Sequence, residues 1–180
     1  MTEKDVAVAM RASDLRDAFD RSFAEPAHEV TDEIEKLLGL HVGEDEYAVR
    51  LSEISGLLPE QTIVPLPSPA PELLGIVGVR GAIVPVYSLG ALLGHGPTSS
   101  SLGWIMLVGA DVPIGLAFEE FKGHLRVPRS EISVAGDGAS QSYVHETVRV
   151  SDTLRGIISV KSVVLALTQR LGTAGSIKET

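Results

Sequence analysis

Any chemistry in this chain would have to come from a short list of side chains. The 180 residues include five histidines and no cysteine. Without cysteine there are no disulfides, thiol nucleophiles or Cys-based zinc sites, which fits a reducing compartment. His28, His41, His95, His124 and His145 stand singly, and none has the i, i+4 partner of a helical metal pair. His95 shortly precedes Ser99, Ser100 and Ser101, but in HGPTSSS a flexible loop explains that neighbourhood of base and hydroxyls. Glu119 and Glu120 are adjacent carboxylates, and neighbours on a strand face opposite ways, so they cannot share acid–base work. Glu44, Asp45 and Glu46 lack the alternating ligands and distal Glu of a calcium loop, and read as a solvated hairpin tip. No G-x-S-x-G, G-x-x-x-x-G-K-[ST] or G-x-G-x-x-G occurs. The expectation is a binding protein with no catalytic residue, no metal and no cofactor.

One charged residue has an unusual setting. Arg80 is the sole charge between Leu73 and Leu93, and Gly75, Gly78 and Gly81 recur around it. A lone Arg in an apolar stretch is costly to bury unpaired. It either finds a carboxylate or lines a surface used by a partner. Ahead of it, Pro65, Pro67, Pro69 and Pro71 alternate, giving a stiff extended connector with few donors. Pro85 implies a strand edge or a bulge, because proline cannot donate to a ladder.

The elements that must position these residues are mostly strands. Hydrophobic residues make up 44% of the chain, enough for a core, while aromatics are only 4%. Few aromatics and a net charge of −9 argue against nucleic acid as a partner. Short β-rich stretches at 37–42, 47–51, 61–66, 75–79, 82–87, 104–109, 113–118, 125–128, 146–150 and 154–160 are punctuated by Gly and Pro. Such spacing predicts an all-β barrel or sandwich. Helices are expected at 51–57, at 88–93 and at 160–170, the last capped by Ser159 and Gly172, although its apolar run suits a strand as well. Residues 94–101 and 135–142 read as loops.

Residues 1–36 differ, carrying ten acids and five bases. Val8, Ala12, Leu15, Phe19 and Phe23 form one stripe of an amphipathic helix that Glu25-Pro26 would end. That helix packs on its own domain or docks on a partner. The start has no secretory signal, and the longest apolar stretches fall short of the ~20 residues of a spanning helix. The expected protein is soluble and cytoplasmic, with no membrane insertion.

Four segments together resemble the CheW family of chemotaxis coupling proteins, whose fold is shared with the regulatory domain of the histidine kinase CheA. They are GEDEYAVRLSEISGLL at 43–58, VPLPSPAPELLGIVGVRGAIVPVYSLGALLG at 64–94, IGLAFEEF at 114–121 and LRGIISVKSVV at 154–164. The resemblance implies a mainly β fold: two intertwined five-stranded SH3-like barrels with a hydrophobic groove between them. Around it lie an acidic N-terminal helical extension (1–36) and a flexible tail (173–180), with the CheW-like domain at 37–172 and a short C-terminal helix. It also implies a non-enzymatic adaptor that bridges the helical tip of a methyl-accepting chemoreceptor to a CheA-type kinase, recruited to receptor arrays. By position, Ile54, in the family's first short helix, and Phe121 would line the groove. Gly75, Val77, Val79, Arg80 and Gly81 would form the Arg-Gly motif, with Ile54, Val77, Val79 and Phe121 equally explicable as barrel core. Three departures stand out: Gly78 replaces the family's Asn, and Ser88 and Ser159 replace acidic residues. These losses leave Glu119, flanked by Phe118 and Phe121, as the expected ion-pair partner of Arg80. They also allow a divergent scaffold that binds a receptor but couples weakly to the kinase, or a scaffold in another two-component pathway. A β-barrel ligand-binding or catalytic domain is the remaining alternative.

Overall fold

The computed structural model describes residues 33–96, 101–109, 112–135 and 143–174. The amphipathic N-terminal stripe therefore lies outside the described residues. The chain enters a hairpin of β1 (Ile34–Val42) and β2 (Asp45–Arg50). Gly43, at φ 65, makes the turn with Glu44, and Asp45 and Glu46 already pair with Val42 and His41. The acidic turn is thus tighter than its three carboxylates suggest.

The helix expected at 51–57 is not there. A single 3₁₀ turn, Leu51–Glu53, leads directly into β3 (Ile54–Pro59). Gly56 weakens the helical option, and the ladder to β6 supplies hydrogen bonds that seven isolated residues cannot make helically. Residues 61–66 likewise form no strand. Alternate prolines leave only the isolated bridge Val64↔Ile76. There follow β4 (Leu73–Val79), β5 (Ala82–Ser88) and helix α1 (Leu89–Leu92). Then come β6 (Trp104–Val108), β7 (Ile114–Phe118), β8 (Glu120–Pro128), a 3₁₀ turn Arg129–Glu131 and β9 (Ile132–Val134). The described chain closes with β10 (Val144–Val150), β11 (Thr153–Ile158) and α2 (Val160–Ala174). Helix α2 runs through Gly172 instead of stopping there.

Two sheets result, with strand orders β8-β1-β2-β11-β10-β9 and β3-β6-β7-β5-β4. The middle of the chain forms the second sheet, and the flanking parts form the first, stitched by the parallel β2–β11 pair. The two-barrel expectation holds in this interleaved form, with three-residue β9 as a sixth strand. Each sheet curls around its own core. Val127 and Ile132, from opposite edge strands, join Leu37, Ala48, Val148 and Ile157 in one cluster. Leu58 and Val77, from the edges of the other sheet, join Val84, Val86, Ile105 and Ala117.

A third, larger cluster lies between the sheets. Leu38, Leu40, Tyr47 and Val49 from the first sheet meet Met106, Leu116 and Phe118 from the second, and α2 adds Val160, Val163 and Leu167. Side-chain size alternates accordingly. In β7, Ile114, Leu116 and Phe118 face the shared core, while Ala117 faces the barrel interior. Gly115 is held small by Ile105 and Val86, since a Cβ would come within 2.9 Å of the Ile105 side chain.

Pro85 lies in an interior strand, not at an edge, yet it breaks no bond. The ladder to β7 begins one residue later, at Val86↔Gly115. On the other side Pro85 faces Ile76, whose N–H and C=O both bond Val64 instead, at 2.9 and 2.8 Å. Gly75 makes that crossing possible. It has φ 147, and a Cβ there would sit 2.1 Å from the Val64 carbonyl oxygen.

Both helices begin on serine caps. The Ser88 hydroxyl accepts from the Ala91 N–H at 3.2 Å, and the Ser159 hydroxyl from the Ser162 N–H at 3.3 Å. Glu53 adds a carboxylate at the start of α2, where its Oε2 accepts the Val160 N–H at 2.9 Å. Negative charge is favourable at that end of the helix.

Three outcomes test this account. Gly75→Ala should cost about 3 kcal/mol or more in urea unfolding, because it adds both strain and a backbone clash. Gly78→Ala, where a Cβ meets nothing within 4 Å, should stay within about 0.5 kcal/mol. Ser159→Ala should cost about 1 kcal/mol by the same measurement, the usual value of a lost N-cap.

Candidate functional site

The residues singled out from the sequence do not converge on one surface. Val77 is only 5% exposed and belongs to the interior of the second barrel, with Val79 packed beside it. Those side chains are used by the core. Gly75 serves the linker crossing. Phe121 is half-buried on the shared core, edge-on to Trp104 (5.7 Å between centroids) and to His124 (5.6 Å). Ile54 also packs on the shared core, but it opens β3 and is not helical.

Arg80 and Gly81 form the two-residue tip of the β4–β5 hairpin, between the paired Val79 and Ala82. Their φ values of 50 and 85 are the left-handed pair that matches strand twist in such a turn. Arg80 is exposed and makes no ion pair among the described residues. The expected pairing with Glu119 is therefore not formed. Glu119 follows β7, and its buried Oε2 has no partner among the described residues. It faces a cavity of about 540 Å³ shared with Glu72, Ser88 and His95.

An apolar groove of about 530 Å³ lies where β3 begins. One wall is Ser52–Ser55, the other is one side of α2, and Gly109 also lines it. Val160, Lys161, Val164, Leu165 and Thr168 form the helical wall, and Leu165 is 60% exposed. Ile54 is the one predicted site residue in this lining. Sequence reasoning missed Val160, Val164 and Leu165. The signal was present: α2 has more aliphatic residues than one buried face needs. Val160, Val163 and Leu167 already fill the core side with Val164 packed at its edge, so Leu165 is surplus.

A charged network includes Arg50, which immediately precedes the Leu51–Glu53 turn. Arg50, at the end of β2, bonds Glu146 at 2.6 Å and lies 3.6 Å from Glu35. Arg129 pairs with the same two carboxylates, so β1, β2, β10 and the turn after β8 are tied together. Burial works against the Arg50 charge, but the hydrogen bond to Glu146 and the fields of Glu146, Glu35 and Glu53 outweigh it and raise its pKa. Glu53 and Lys161 place one charge of each sign on the groove walls. The described residues contain no group of three or more His, Asp or Glu placed to hold a metal ion. No described helix is long and apolar enough to cross a membrane. What the surface offers is aliphatic cover for an apolar face.

Comparison with known proteins places this arrangement. A CheW-like domain family model matches residues 36–167. The chemotaxis protein CheW of Bacillus subtilis (strain 168) is 23% identical over 134 residues, spanning 72% of this chain and 86% of that protein. The scaffolding protein TtCheW from Thermoanaerobacter tengcongensis shares the fold at a TM-score of 0.64 and 19% identity, over 69% of this chain and 88% of that one. Its relatives are thus a chemotaxis protein and a scaffold, and the family model spans both barrels. With its interleaved barrels and the match across residues 36–167, this chain belongs to the CheW-like domain family.

Proposed function

We propose that the chain is a non-enzymatic adaptor coupling the helical cytoplasmic tips of methyl-accepting chemoreceptors to the regulatory domain of a CheA-type kinase. The observation that carries this reading is the open groove along Ile54, Val160, Val164 and Leu165. Its aliphatic lining suits the apolar stripe of an amphipathic helix. Burying one exposed leucine side chain contributes about 1.5–3 kcal/mol, so Leu165 is the largest single gain available to such a partner.

The Arg80-Gly81 tip is the proposed second contact. Holding a non-glycine residue at positive φ costs about 1 kcal/mol or more, and no internal ion pair among the described residues offsets it. A carboxylate on a partner would. The groove lies on β3 and α2, whereas the tip lies on the β4–β5 hairpin, which suits a protein that holds two partners at once. In this reading residues 37–172 are the adaptor body, 1–36 an acidic extension and 173–180 a tail, and the protein works in the cytoplasm at receptor arrays.

Weak coupling to the kinase remains a second reading, and it now rests on Gly78 alone. Gly78 is exposed, and nothing in its surroundings excludes a side chain. Its paired residue, Ile83, is 74% exposed, so the loss of an Asn side chain changes the outer surface, not the fold. Ser88 and Ser159 do not support this reading, because each caps a helix as well as an Asp would.

Separate affinity capture of a receptor-tip hairpin and of the kinase regulatory domain tests both readings. Leu165→Glu should weaken receptor-tip capture at least about tenfold while the melting temperature holds. Arg80→Glu should weaken capture of a partner, again with the fold intact by circular dichroism. Unchanged capture by both variants would remove the proposed sites. Strong wild-type binding to the kinase domain would remove the weak-coupling reading.

A further inference from the structure

The groove has two walls from distant parts of the chain, and one described hydrogen bond joins them directly. Glu53 ends the 3₁₀ turn before β3, and Val160 opens α2, a separation of 107 residues. The Glu53 carboxylate accepts the Val160 N–H at 2.9 Å. Both residues line the groove. We infer that Glu53 is the positioning residue that sets the width of the groove by latching the N-terminus of α2 to the opposite wall.

The physical reasons are local. The first N–H groups of a helix have no partner within the helix, and here Ser159 accepts from the Ser162 N–H with its hydroxyl and from the Val163 N–H with its carbonyl, but not from Val160. The Val160 N–H is therefore free to take a partner from outside the helix. A carboxylate is the strongest such acceptor, because the hydrogen bond and the helix dipole act together. The stripe Val160, Val164 and Thr168 extends along the helix from that bond, so a small rotation of α2 at its N-terminus would change the gap opposite Ile54. Packing holds one face of the helix and leaves the other open. Val160, Val163 and Leu167 are buried, but Leu165 and Thr168 are exposed. Glu53 thus acts through α2 and need not touch the partner itself.

The inference rests on the helix-docking reading for its consequence, but its geometric core can be measured without any partner. The chain has no cysteine, so spin labels can be placed at Ser52→Cys and Thr168→Cys in the full-length protein with no background. Wild type should give a narrow distance distribution. Glu53→Ala should broaden it, and Glu53→Gln, which keeps an acceptor, should restore it. Val160→Pro removes the donor at a helix position that proline tolerates, and should broaden the distribution as Glu53→Ala does. Receptor-tip affinity should fall about tenfold in Glu53→Ala and stay within about twofold in Glu53→Gln. An unchanged distribution in both Glu53→Ala and Val160→Pro would overturn the latch. So would equal loss of affinity in Glu53→Ala and Glu53→Gln, since charge and not the bond would then be acting. If Leu165→Glu binds the tip normally, the docking reading fails, while the distance measurement still decides the role of Glu53.

Discussion

Strands buried on both faces set the terms for everything else. In β7 all five residues are buried, and β1 and β2 send side chains into two different cores. A strand in that position must satisfy two packing problems at once. The barrel interiors are narrow and accept Ala48, Ala117 and Gly115, whereas the shared layer between the sheets takes Tyr47, Leu116 and Phe118. Small and large residues therefore alternate along one strand. Because the middle of the chain builds the second sheet and the flanking parts build the first, the barrels cannot be separated without breaking this shared layer. It provides the rigid body against which the hairpin tip and the groove are held.

The groove follows from the same constraint. Helix α2 gives Val160, Val163 and Leu167 to the shared core, leaves Val164 half-buried at its edge and keeps Leu165 outside it. Its start is pinned by Ser159 and Glu53, the latter from the turn that ends β2 and begins β3. Just before that turn, Arg50 is held by Glu146 and Glu35, which ties the turn to the first barrel. Charged groups here orient backbone, and aliphatic groups form the surface. Family membership places the chain among CheW-like domain proteins, and the described surface offers shape and aliphatic cover.

Legibility varied by the range of the interaction concerned. The strands on either side of Arg80-Gly81, the proline connector and the Ser159 cap were readable because each depends on a few neighbouring residues. The helix expected at 51–57 failed because the ladder from β3 to β6 overrode local propensity. Helix α2 passes Gly172 although glycine usually marks an end. The Arg80–Glu119 pair failed for a different reason. Two residues 39 positions apart were matched by charge alone, and the fold sends one to a hairpin tip and the other to a buried cavity.

By itself, the sequence determined the element types over most of the described chain, the tight turns, and membership in a β-barrel family. Those depend on backbone restriction and on hydrophobic period, both of which act over a few residues. Only the tertiary structure decided which aliphatic residues face inward. Val77 and Leu165 look equally apolar in the sequence, yet one fills a barrel and the other is left on the surface. That choice is made by the curvature of two sheets and by where α2 settles between them, and it depends on contacts between residues more than a hundred positions apart.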